Sequence, residues 1–147
     1  MRDFMNYKLW QWVLLALILT PSIYTDLKKR EINPWLIVTG IPAGILLDFF
    51  LIGIPFSSEY FVRFLPGIAM LLAAWLFRGS IGIGDGIICL FLGSVLHINY
   101  VFSSMMFGFL FASLYGLILI TVKKMNGKAQ IPFVPFLSIG VVLCGII

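Results

Sequence analysis

Residues 86–122 read GIICLFLGSVLHINYVFSSMMFGFLFASLYGLILITV and contain no Asp, Glu, Lys or Arg. As one helix rising 1.5 Å per residue, this run would overshoot the roughly 30 Å hydrocarbon core of a bilayer. It is too long for one membrane span and must fold back on itself. His97-Ile98-Asn99-Tyr100 is its only polar break, which places a tight hairpin there.

The same reading on either side gives six apolar segments. They run over about 9–24, 34–53, 60–77, a short Gly-marked 81–96, 100–122, and from about 131 to the end. Pro34 suits a helix start, because its missing N–H would find no partner in the first turn anyway. Gly53-Ile54-Pro55 ends the second segment. The expected fold class is all-α, a polytopic integral membrane protein with a bundle of about six transmembrane helices. Residues 1–147 form one membrane-embedded domain, with no internal repeat or linker.

Composition agrees. Of 147 residues, 61% are hydrophobic and 11% charged, where a soluble domain has about a quarter charged. Mean hydropathy is +1.09. Such a chain cannot cover a water-facing surface, which excludes a soluble enzyme, a disordered tail and a nucleic-acid-binding module. The net charge of +4 comes from ten Lys and Arg divided among short loops, where they report orientation. Lys28, Lys29, Arg30, Arg78, Lys123, Lys124 and Lys128 fall on one side, and Arg2, Lys8 and Arg63 on the other. That puts the first, third and fifth loops in the cytoplasm and both termini outside. Trp10, Trp12 and Trp35 stand near segment ends, as interfacial aromatics do. The first segment could serve as a signal peptide. Its exit, Thr20-Pro21-Ser22-Ile23-Tyr24-Thr25, offers no A-x-A-like cleavage site, so a retained span is the natural reading.

Few polar residues remain for chemistry. Cys89 and Cys144 sit in apolar runs without a C-x-x-C pattern, and are read as buried thiols. The single histidine, His97, falls at the outer hairpin, and no metal-ligand constellation exists. Among six acids, Asp3, Glu59 and Glu31 read as solvated charges. Asp48 lies fourteen residues past Pro34, about 21 Å along a helix. It is expected near the outer side, as a structural acid or one at the outer headgroups. Asp26 closes the first segment and Asp85 opens the fourth. The topology brings both to one depth on the cytoplasmic side.

Gly82, Gly84 and Gly86 flank Asp85 at alternate positions. Glycine costs about 1 kcal/mol against alanine inside a helix. Three in five residues point to a loosened backbone, or to one that another chain approaches closely. Two facing carboxylates cannot both ionise, so they share a proton. One can then take a proton from water while the other polarises a carbonyl. The last segment opens Gln130-Ile131-Pro132-Phe133-Val134-Pro135-Phe136-Leu137. Its prolines leave either weakly paired backbone that an extended peptide could join, or an ordinary Pro-marked helix start.

Three of these stretches together resemble the type IV prepilin peptidase family, membrane aspartic peptidases of the GxGD class. They are Asp26-Leu27-Lys28-Lys29-Arg30-Glu31-Ile32-Asn33-Pro34, then Gly82-Ile83-Gly84-Asp85, then Ile131-Pro132-Phe133-Val134-Pro135-Phe136-Leu137. The resemblance implies cleavage of the basic leader from type IV pilin or pseudopilin precursors at the cytoplasmic membrane face. It makes Asp26 and Asp85 the catalytic pair. Gly82, Gly84, Gly86, Pro132, Pro135 and Phe136 are the candidates for substrate binding or close backbone approach. The partners expected are such precursors and the lipid bilayer, with no nucleic acid, cofactor or metal. The chain lacks the Cys-x-x-Cys zinc segment of the larger members, which argues against a second, methyltransferase activity. Gly86 and Ile87 stand where many members have Val-Lys after the motif. The alternatives are a small proton-coupled transporter and a catalytically inactive membrane scaffold.

Overall fold

The computed structural model describes residues 2–29, 32–52, 58–77, 82–123 and 131–146. Among these the regular structure is entirely helical. The order is α1 (Arg2–Lys29), α2 (Pro34–Ile52), α3 (Ser58–Val62), α4 (Leu65–Leu76), α5 (Ile83–Val95), α6 (Ile98–Lys123) and α7 (Val134–Ile146). The helix end expected at Gly53-Ile54-Pro55 lies outside the described residues, as do Arg30, Glu31, Arg78, Lys124, Lys128 and Gln130.

The third expected segment is a broken helix. Pro66 in the first turn of α4 has no N–H to give to the preceding turn. The chain tightens there, with Arg63 N bonding to Tyr60 O at 3.3 Å and Phe64 N to Phe61 O at 3.1 Å. The hairpin falls at Leu96 and His97, between α5 and α6.

Ser58–Leu76 and Ile98–Val122 are long and apolar enough to cross a bilayer. The helices in the fourth and sixth segments are shorter than expected. Each has 13 residues, about 20 Å of rise. α5 starts only after Gly82, whose backbone is extended at φ −70° and ψ 128°. α7 starts only at Val134, past Pro132.

α5 is the central helix. It packs against α1, α2, α4 and α6, while α7 packs against α1 and α6. Ile88, Cys89, Phe91, Leu92 and Val95 of α5 are fully buried. α4 runs against α5 with backbones nearly touching, because a side-chain carbon at Gly67 would come within 2.6 Å of the Leu90 nitrogen. α7 seats on α6 in the same way, with Gly140 against the Ser104 carbonyl. α1 is an integral part of this core through Leu15, Ile18 and Ser22. Outside the bundle large apolar side chains face outward, Trp35, Phe50, Trp75 and Val122 among them, each more than 70% exposed. Apolar surface on that scale marks a face covered by a membrane or by another protein.

Candidate active site

The last turn of α1, the first turn of α5 and the start of α7 converge at one end of the bundle. Asp26 is only 6% exposed, although its neighbours Leu27, Lys28 and Lys29 face outward. The backbone N–H of Val134 donates to Asp26 Oδ2 at 3.0 Å, joining residues 108 apart in sequence. Asp85 is half-buried and lies within electrostatic reach of Asp26.

The three glycines around Asp85 have distinct surroundings. A side-chain carbon at Gly82 would stand 3.0 Å from Asp85 Oδ2, so the bare glycine leaves room for that carboxyl. Gly84 is covered by Ile32, and an added carbon there would meet Ile32 Cδ1 at 2.7 Å. Gly86 is covered by Leu71 of α4, at 2.7 Å by the same measure. Gly84 and Gly86 lie in the first turn of a continuous helix. Gly84 and Gly86 are packed by this chain's own side chains, and the approach of another chain to them stays an expectation. Ile32 therefore ties the segment after Asp26 to the turn that carries Asp85.

The start of the last segment combines both readings of its prolines. Residues 131–133 are not helical, and Pro135 is the second residue of α7. Pro132 is half-buried ahead of the helix. The Phe136 ring lies 5.3 Å from that of Tyr115 on α6, and the Phe133 ring 5.0 Å from that of Phe109.

Asp48 stands apart. α2 runs beside α5 with Gly40 at Phe91 and Gly44 at Ser94, which puts Asp48 near the hairpin end of the bundle. There it is 1% exposed and bonds to Arg63 at 2.9 Å. The Arg63 guanidinium lies 5.0 Å over the Tyr60 ring. The structural reading of Asp48 is the one observed, and Arg63, counted in the sequence only as an outer charge, is its partner. Cys89 and Cys144 are free, buried thiols, and His97 is exposed at the hairpin.

Three contacts that organise this region escaped the sequence reading. Ile32 and Val134 stand inside two of the quoted motif stretches, but neither carries a charge and neither was given a role. The only signal for Val134 was its position between Pro132 and Pro135, at a helix start short of donors. Arg63 lies fifteen residues from Asp48 in sequence, and nothing local joins them.

Two acids close together at a largely buried helix junction can hold one proton between them and activate a water for attack on a carbonyl. Among the described residues no cluster of His, Cys, Asp and Glu could hold a metal. The model of the type IV leader peptidase family matches residues 13–121. That span includes Asp26, Ile32, Asp48 and Asp85 and stops short of Val134. No curated protein and no solved structure matches the chain.

Proposed function

The chain belongs to the type IV leader peptidase family, and from that premise we propose that it is a membrane aspartic endopeptidase with Asp26 and Asp85 as its catalytic pair. Its substrates are type IV pilin or pseudopilin precursors, cut between basic leader and apolar helix. The protein is multi-pass in the cytoplasmic membrane, with the site facing the cytoplasm. The observation that carries the reading is the meeting of Asp26 and Asp85, 59 residues apart (85 − 26), at one end of the bundle. The apolar outer surface and the two spanning-length helices support the membrane setting.

In the reaction the pair starts with one proton. The ionised carboxylate takes a proton from a water held between the two acids. The water oxygen bonds to the scissile carbonyl carbon, and the protonated acid gives its proton to the carbonyl oxygen. The resulting tetrahedral diol then collapses. A proton passes to the amide nitrogen, the C–N bond breaks, and a carboxylic acid and an amine leave. The approach of an extended peptide to Gly82, Pro132, Pro135 and Phe136 belongs to this reading. A proton relay through the membrane is the weaker alternative. Between Asp85 and Asp48 the described residues of α2 and α5 carry no other carboxyl group.

Co-expression with a prepilin-like precursor tests the reading. Asp26→Asn and Asp85→Asn should each abolish the mobility shift of the cleaved precursor, because one carboxyl cannot exchange acid and base roles. Full cleavage by either single variant refutes the pair.

A further inference from the structure

The contact between Asp26 and the start of α7 gives the two carboxyls unequal surroundings. The first N–H groups of a helix have no acceptor within it. Val134 opens α7 and is fully buried, so its N–H needs an acceptor from the protein. Pro135 brings no N–H at all. Asp26 Oδ2 is that acceptor. A negative charge there is also favoured by the positive end of the helix dipole. The only side-chain hydrogen bond to Asp26 among the described residues is this one, at Oδ2. Asp85 is bonded only within its own turn, by the Gly82 backbone at the start of α5, whereas the Asp26 contact comes from another helix, 108 residues away.

Resting on the aspartic peptidase reading above, we propose that the backbone N–H of Val134 is a positioning group that fixes the division of labour in the pair. It holds Asp26 as the charged member, with Oδ1 left to take the proton from water. The shared proton then resides on Asp85, which delivers it to the carbonyl oxygen.

Other charges near Asp26 do not compete for this role. α5 contributes Asp85 itself, with Cys89 one turn further along. α2 carries only Asp48, which is paired with Arg63 at the far end. α7 carries only Cys144, ten residues past Val134. On α1, Lys28 bonds to the Tyr24 hydroxyl at 3.0 Å, and Lys29 is exposed.

The test uses the full chain in lipid nanodiscs and a fluorogenic peptide spanning a prepilin-like cleavage site. Val134→Pro removes the N–H at a helix position where proline is tolerated. Val134→Ala keeps the N–H and loses only methyl groups. With the donor gone, Asp26 ionises less readily. The acidic limb of the kcat/KM profile should then move up by about one pH unit, a roughly tenfold loss on its acid side. Val134→Ala should leave the limb in place. A uniform fall at every pH with the limb unmoved means that α7 acts only as a scaffold, and overturns the proposal. If Val134→Pro does not accumulate, an amide-to-ester replacement at Val134 removes the N–H without changing the side chain, and the same limb decides. Asp26→Asn in the same assay separates the two claims. Retained cleavage sinks the aspartic reading. Lost cleavage with an unmoved limb in the proline or ester form sinks only the role of Val134.

Discussion

Asp48 is the acid most easily mistaken for part of the chemistry, and replacing it should cost stability while sparing cleavage. Asp48 and Arg63 are 1% and 12% exposed and 2.9 Å apart. Breaking a buried ion pair by removing one partner costs about 3–5 kcal/mol. The Tyr60 ring, 5.0 Å from the guanidinium, still faces Arg63 afterwards, so Asp48→Asn should cost about 3 kcal/mol. In a chain of this size that lowers the melting temperature by roughly 5–10 °C. Replacing both partners with apolar residues, Asp48→Leu with Arg63→Met, should recover most of the loss, since no charge is then buried alone. Asp48 lies about 20 Å along α2 from the level of Asp85, so cleavage per folded molecule at 20 °C should stay within about threefold of the parent. The assay is thermal unfolding in detergent, paired with initial cleavage rates well below the melting point. A variant that melts normally but cleaves nothing would place Asp48 in the reaction and break the reasoning. A double variant no more stable than the single would remove the ion pair as the cause.

Gly84→Ala should reduce cleavage more than tenfold. The new carbon would sit 2.7 Å from Ile32 Cδ1 and 3.0 Å from Ile32 Cβ, and displacing a catalytic group by about 1 Å can cost a hundredfold. Adding Ile32→Val should restore part of the rate, and no recovery would mean that Ile32 does not position the pair.

Hydrophobic patterning showed the helical segments and the hairpin at His97 because both follow from local polarity. Residues 86–122 cannot stay one helix at any bilayer thickness, and their single polar break has only one place to turn. Helix starts were less legible. The extended backbone at Gly82 and the proline pair around Val134 shortened α5 and α7 by residues that are as apolar as the rest. Asp26 and Asp85 could be matched because topology alone sends both to one side. The contacts that set their environment could not. Ile32 against Gly84, Val134 against Asp26 and Arg63 against Asp48 each join residues whose meeting depends on how several helices pack. Sequence order carries no trace of that geometry.

The shortness of α5 and α7 bears directly on the chemistry. α5 and α6 meet at the hairpin and are level there, yet α5 has 13 residues and α6 has 26. α6 therefore runs on for about 20 Å past the start of α5. α7 lies along the same half of α6, with Gly140 at Ser104 and Leu137 at Gly108, and Ile131, ahead of α7, meets Gly116 further along. Both helices that bear on Asp26 begin near the middle of α6. Were the hairpin end of the bundle level with one face of a bilayer core of about 30 Å, helices of about 20 Å would leave the pair some 10 Å short of the opposite face. α6 runs on past that level, while α1 ends three residues beyond Asp26. An unwound peptide is tolerated at such depth only where protein covers it, and a full-length α5 would fill the space it needs.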